Sequence, residues 1–432
     1  MKNKIIEGIE KMYQLAKKLF PICRSLTGNG VRETLAILKI EYSDLNIYEV
    51  PSGTQVFDWT VPKEWNIKDA YIETSNGEKI IDFKENNLYV MGYSNPMDCY
   101  LSLDELNKII YTQPDQPDVI PYVTSYYKER SGFCMSENQK KLLKEDNYHC
   151  VIDSELKQGS LTYGEIIIKG ETQEEVLLST YICHPSMANN EVSGPCVTIA
   201  LAKWIKTLKK RRYTYRIIFV PETIGSITYL SRNLDIMKKN TIAGFVLSCV
   251  GDDRTYSYVE TKYGKTLTDK LLENVLGFHY PEYQKYSFLH RGSDERQFNA
   301  PGIDLPVCAV CRSKYGEFKE YHTSADNLEL ISEKGLQGTF ELMKKCINAL
   351  EYNYKYRVTC LCEPQLGKRG LYPTISQKGT YNKIKALTNF IAYADGHNDL
   401  IDISNIINVA IDELIEIVDK LIDNNLLKKM DV

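Results

Sequence analysis

Short apolar runs, each closed by a polar or acidic residue, recur through the middle of the chain. Glu175-Val-Leu-Leu-Ser-Thr-Tyr-Ile182 reads as a buried strand, and Pro195-Cys-Val-Thr-Ile-Ala-Leu-Ala-Lys-Trp204 as a helix packed against the sheet. Arg216-Ile-Ile-Phe-Val220, Ala243-Gly-Phe-Val-Leu-Ser-Cys-Val250 and Pro301-Gly-Ile-Asp-Leu-Pro-Val307 repeat the strand pattern. Strands alternating with helices in this way predict an α/β sheet. Ahead of them, the spacing predicts helices from Ile5 to Leu19 and from Gly30 to Lys39, then a strand at Ile47-Tyr-Glu-Val50. Between that strand and Gly164 lie Trp59, Trp65, a tyrosine-rich series of short strand-like runs and Pro114-Asp-Gln-Pro-Asp-Val-Ile-Pro121. These residues are too many for a simple loop, and they predict an inserted β-rich subdomain beside the cleft.

Past the linker-like Pro364-Gln-Leu-Gly-Lys-Arg-Gly-Leu-Tyr-Pro373 the periodicity changes. Tyr381 to Tyr393, Asp402 to Val409 and Ile411 to Asp423 carry apolar residues at spacings of three and four, and Asn425-Leu-Leu-Lys-Lys429 closes the series. Three short helices closed in this way resemble a winged helix-turn-helix. The expected organisation is residues 1–56 and 163–365 for one interrupted α/β domain, 57–162 for the insert and 374–432 for the winged domain.

Composition narrows the function classes. With 432 residues, 43% hydrophobic and 25% charged, the chain has the makeup of a multi-domain globular protein. Its net charge of -4 supplies no general attraction to nucleic acid or anionic membranes. The third C-terminal helix, with Asp412, Glu413, Glu416, Asp419 and Asp423, would face DNA with like charge, so nucleic acid is disfavoured as a partner. No apolar run approaches the roughly 20 residues that span a bilayer, and the first residues carry acid where a signal peptide is apolar, so a cytoplasmic location is expected. The 12 cysteines are scattered through apolar contexts, with one isolated Cys308-Ala-Val-Cys311, and read as reduced thiols rather than a disulfide framework.

The candidate chemistry sits where the strands end. In Thr180-Tyr-Ile-Cys-His184-Pro-Ser-Met-Ala-Asn-Asn190-Glu191-Val-Ser-Gly194, His184 falls just beyond a strand, the edge at which open α/β sheets place ligands. Glu222 follows the next strand, Asp252 or Asp253 the one after, Asp294 precedes another, and His322 lies in Glu320-Tyr-His-Thr-Ser-Ala-Asp326. Imidazole and carboxylate together form a ligand set that zinc accepts. Each residue also has a plain structural use: Glu222 as a helix-capping acid, Asp252 and Asp253 as turn residues, Asp294, Glu295 and Arg296 as an ion-pair cluster, and Tyr321 as a wall.

In this order the segments resemble the co-catalytic zinc aminopeptidases. More narrowly, the chain resembles the bacterial aminopeptidase-like proteins of surface-polysaccharide clusters, through Leu19-Phe-Pro-Ile-Cys-Arg24-Ser25-Leu-Thr27-Gly28, Asp58-Trp-Thr-Val-Pro-Lys-Glu-Trp65, Ile120-Pro-Tyr-Val-Thr-Ser-Tyr-Tyr127, His184-Pro-Ser and Glu320-Tyr-His-Thr. The resemblance implies a zinc-aminopeptidase-like three-layer mixed sheet, with the β-rich insert and the C-terminal winged helix. It implies metal ligands at His184, Asp252 and His322, with Asn190 as a weak further ligand, and a general base at Glu222. Asp294, Arg296 and Tyr321 become candidate substrate-binding residues. The expected cofactor is zinc, one per chain, because Asn190 stands where the aminopeptidases carry a bridging aspartate and Thr223 where they carry a second glutamate. Glu295 replaces the histidine that commonly follows their Ser-Asp. The implied function is hydrolysis of a peptide or amide bond, with a small-molecule substrate as partner and self-association left open. The alternative is a degenerate relative that binds its ligand without turnover.

Overall fold

All seven residues of Glu175–Tyr181 and all seven of Thr214–Val220 are buried, as strands covered on both faces must be. They form the centre of an eight-stranded mixed sheet in a computed structural model that describes residues 2–372 and 380–430. In chain order the strands are β1 (Asn46–Pro51), β2 (Ser160–Ile168), β3 (Glu175–Tyr181), β4 (Thr214–Val220), β5 (Thr241–Leu247), β6 (Ser257–Val259), β7 (Gln284–Tyr286) and β8 (Val307–Cys311). Their spatial order is β1-β2-β4-β3-β5-β8-β6-β7. The run β4-β3-β5-β8 is parallel, while β1, β2 and β6 join antiparallel. Parallel neighbours bring the carboxyl ends of β3, β4, β5 and β8 to one edge.

The crossover helices hold that edge together. Ser193–Thr207 follows β3 and Ile224–Asn240 follows β4. At Gly194 a Cβ would lie 2.2 Å from Thr180 Oγ1 and 2.5 Å from Leu247 O, so the helix can start against both strand ends only with glycine there. Buried Arg216, in the middle of β4, donates to both carboxylate oxygens of Glu175 at 2.7 and 2.8 Å, to Glu165 at 3.0 Å and to Tyr229 Oη at 2.6 Å. These bonds tie β4 to β2, β3 and the following helix.

Residues 64–157 contribute a second, antiparallel sheet of four strands, in the order Lys79–Asp82, Glu64–Glu73, Asn147–Lys157 and Met97–Ser102. One face supplies Ala70, Ile72, Ile81, Tyr148, Cys150 and Ile152 to a core of its own with Leu88, Phe133 and Met135. This is the β-rich insert.

The chain divides into two compact units, residues 1–264 with 284–340, and residues 265–283 with 341–432. The second contains the antiparallel strands Asp395–Asp399, Lys355–Val358 and Leu427–Met430, with helices Thr380–Tyr393, Leu400–Ile407 and Ile411–Asp423. Helix Leu267–His279 belongs to it as well, through Asn274 Nδ2, which donates to Ser404 Oγ at 2.9 Å and Asn405 Oδ1 at 2.7 Å. In Ile411–Asp423 the residues Ile411, Leu414, Val418 and Leu421 are buried, while Asp412, Glu413, Glu416, Asp419 and Asp423 are exposed. The end of the expected linker, Pro373, and the first expected residues of the winged domain, 374–379, lie outside the described residues. Among the described residues, no helix is long and apolar enough to cross a membrane. All twelve cysteines are free thiols, eight of them buried.

Candidate active site

The turns after β3 and β4 deliver the first pair of functional side chains. Tyr181 pairs with Val220 at the ends of these parallel strands, and His184 and Glu222 follow within a few residues. His184 Nε2 lies 3.7 Å from Glu222 Oε2. The loop after β8 brings His322, whose ring centroid is 5.3 Å from that of His184. Tyr122 contacts both imidazoles, at 5.3 and 5.1 Å between centroids, and Tyr321 stacks on His322 at 3.8 Å. His184, Glu222 and His322 therefore share one cavity of about 350 Å³. Its lining is completed by Leu26, Trp59, Tyr122, Thr124, Tyr126, Tyr127, Cys183, Thr223, Ile224 and Arg296.

The backbone around the cavity is bent into unusual conformations. Ser186, Thr223, Cys249 and His322 have φ of 41°, 63°, 53° and 56°. Thr223 is β-branched, for which a positive φ is a true outlier. Such strain persists only where surrounding contacts over-determine it, and it gathers at functional sites. The contacts are visible: Thr223 N donates to Asp294 Oδ1 at 2.7 Å, Arg296 Nη2 donates to Thr223 Oγ1 at 2.5 Å, and Tyr122 N donates to His322 O at 2.9 Å.

Electrostatics follow from burial. Desolvation, with the neighbouring imidazole adding to it at His322 and Arg24 at His184, lowers both histidines to about 3, so each is a neutral imidazole with a free lone pair. Glu222 is pushed up to about 8, first by burial and then by Asp294. Asp294, fully buried, is raised to about 6 by desolvation. One network could not be foreseen from sequence spacing. His184 Nδ1 is hydrogen-bonded to Glu191 Oε2 at 3.0 Å, and Glu191 Oε1 is ion-paired with Arg24 Nε at 3.3 Å. Arg24, 1% exposed, also donates to His184 O. A carboxylate on Nδ1 fixes the ring and leaves Nε2 for the cavity.

Not every candidate reaches the cavity. Asp252 is buried with both oxygens engaged: Asn189 Nδ2 and Ser313 N donate to Oδ2, and Ser313 Oγ and Arg254 N to Oδ1, at 2.9 to 3.0 Å. It braces three loops and does not line the cavity, and Asp253 pairs instead with Lys334 at 3.5 Å. Cys249, nearer the end of β5, is the side chain that approaches Asn190, 3.7 Å from Oδ1. Asn190 Oδ1 accepts from Tyr181 Oη at 3.1 Å, and its Nδ2 is buried without a partner among the described residues. Asp294 accepts from Thr223 N and Ser226 Oγ behind the wall, and Tyr321 backs His322; neither lines the cavity.

Among the described residues the three potential ligands whose donor atoms come within 4.8 Å of one another are Cys183, His184 and Glu191, with Glu222 and His322 lining the same cavity. His322 Nε2 is buried and has no hydrogen-bond partner among the described residues, an orphan that a metal bond would satisfy. Two neutral imidazoles and a carboxylate match a common catalytic zinc set. Asn190 and Thr223 add no negative charge for a second ion, and Arg296 donates to Thr223.

The mixed sheet with its site at the strand ends is the fold of the zinc aminopeptidases. BSAP, a zinc aminopeptidase from Bacillus subtilis, superposes with a TM-score of 0.58 at 14% identity, covering 80% of this chain and 95% of that one. An aminopeptidase from Aneurinibacillus sp. strain AM-1 gives 0.52 at 14% identity, covering 79% and 93%. The chain belongs to the family described as a domain of unknown function, DUF4910, which matches residues 13–353, and a winged helix-turn-helix follows at 354–429. A Clostridium acetobutylicum protein named for polysaccharide biosynthesis, with an aminopeptidase-like domain, is 50% identical over 408 residues, 93% of each chain. A crystal structure from the same organism, described as a peptidase, is 47% identical with a TM-score of 0.93 over 99% of both chains.

Proposed function

We propose that the chain is a metal-dependent hydrolase of a peptide or amide bond that holds one zinc ion through His184 and His322. The observation that carries this reading is the pair of neutral imidazoles, His184 buried and His322 half-buried, facing one cavity beside Glu222, with His322 Nε2 unpartnered among the described residues. Bound there, zinc supplies a Lewis acid that polarises an acyl oxygen and acidifies water. Glu222, at the cavity wall, takes the proton from the attacking water and hands it to the leaving nitrogen. The new bond is carbon to water oxygen, the broken bond is carbon to nitrogen, and the products are a carboxylic acid and an amine, which exchange a proton to become carboxylate and ammonium. Glu191 and Arg24 hold the His184 ring in place during this exchange.

Kinship to a protein named for polysaccharide biosynthesis supports a substrate drawn from surface-polysaccharide assembly, and the free thiols suit a cytoplasmic setting. A second reading, ligand binding without turnover, has its own support in Asn190 and Thr223, which lack the charge to hold a second ion. Zinc-reconstituted Glu222→Gln separates the two. If the hydrolase reading is right, its metal content matches the parent while hydrolysis falls about 100-fold or more, the scale of a general-base contribution. Full activity in this variant, or no hydrolysis of any amide by the zinc-loaded parent, contradicts it.

A further inference from the structure

The described lining of the cavity carries one carboxylate and one guanidinium, so it holds no surplus negative charge for a free amino terminus. An α-ammonium is captured by carboxylates or carbonyl oxygens that face it. Among the described residues lining this cavity, Glu222 is the one carboxylate, and the proposed reaction already uses it. The two nearby acids are turned into the protein. Asp294 accepts from Thr223 N and Ser226 Oγ, and Glu295 Oε1 accepts from Gly292 N, Ser293 N and Tyr315 Oη. Both are completely buried.

Among the described residues lining the cavity, Arg296 is the one cationic side chain. Its Nη2 bond to Thr223 Oγ1 fixes the guanidinium one residue along from Glu222, and its Nε is buried without a partner among the described residues. A guanidinium pinned by one nitrogen and short of an acceptor on another is set to take a carboxylate or similar oxyanion. Four aromatic side chains, Trp59, Tyr122, Tyr126 and Tyr127, line the same cavity. Trp59 and Tyr127, 38% and 58% exposed, meet edge to face at 5.8 Å, while Tyr122 and Tyr126 join hydroxyls at 2.6 Å. These rings offer surface for an uncharged acyl group or ring.

We infer that the substrate is an N-acylated compound bearing an anionic group, held by Arg296 next to the scissile amide, and not a peptide with a free amino terminus. This rests on the hydrolase reading for the word substrate, but the preference itself belongs to Arg296 and the aromatic wall and is measurable as binding. Calorimetry on the full chain, with and without zinc, would compare N-acetyl-L-alanine, L-alanine amide and N-acetyl-L-alanine amide. The expected result is that N-acetyl-L-alanine binds at least tenfold more tightly than either other probe. In Arg296→Met that preference disappears with zinc content unchanged, and Arg296→Lys regains part of it. Equal or tighter binding of L-alanine amide, no binding of any probe, or a preference that survives Arg296→Met would overturn the inference. Failure to retain zinc would instead count against the hydrolase reading, while the metal-free titration still decides the preference.

Discussion

At Glu222 two demands oppose one another: the reaction needs a carboxylate able to accept a proton, and the folded chain makes an ionised carboxylate costly there. Burial and Asp294 raise the group to about 8, from a reference of 4.5. The folded state therefore keeps a proton that the unfolded chain gives up above the reference value. The stability this contributes is fully present below about pH 4.5 and is lost as the pH rises through about 8, by at most ~1.4 kcal/mol per pH unit. In Glu222→Gln nothing titrates at that position. Denaturant midpoints of the metal-free chain at pH 5 and pH 8 should accordingly show the variant gaining on the parent as the pH rises; a constant difference would mean that the folded chain does not raise the Glu222 carboxyl. The residue scale is also where sequence reading was uneven. His184 and Glu222 could be found because each stands directly after an apolar strand, so local pattern fixes their place. Asp252 obeys the same rule yet serves Asn189 and Ser313, while Tyr181 and Cys249 are the side chains that reach Asn190. Arg24 gave no local sign of its task, since its partner Glu191 lies far along the chain and only the closed fold joins them.

At the scale of elements, the central strands were legible from continuous apolar runs, and the amphipathic C-terminal helices from their spacing. Strand order was not, because nothing local says that β4 lies between β2 and β3. Arg216 makes that arrangement specific: a charge in the middle of a buried strand is tolerable only where Glu175, Glu165 and Tyr229 converge on it. Removing one partner of a buried pair strands the other, at a cost of about 3–5 kcal/mol. Arg216→Ala should lower stability by that amount with Glu222 and the histidines intact, as measured by denaturant unfolding. A loss below about 1 kcal/mol, the range of a surface pair, would show that the cluster is solvated.

On the scale of the whole molecule, the winged unit raises the question of nucleic acid, which the fold alone does not answer. On helix Ile411–Asp423 the acids Glu413, Glu416 and Asp423 are exposed, while Asp412 pairs with Lys345 and His279 and Asp419 accepts from Tyr352, so the helix that would enter a groove offers phosphate more repulsion than attraction. Counterion release supplies most non-specific DNA affinity, and an acidic face forgoes it. The intact chain should show no appreciable duplex binding at physiological salt in a fluorescence titration; micromolar affinity falling steeply with salt would refute this. The central claim concerns the other unit, and zinc content after reconstitution and exhaustive dialysis tests it most directly. One equivalent per chain is expected for the parent and far less for His184→Ala and His322→Ala. Two retained equivalents, none, or one that survives both substitutions would contradict a single zinc held by these histidines.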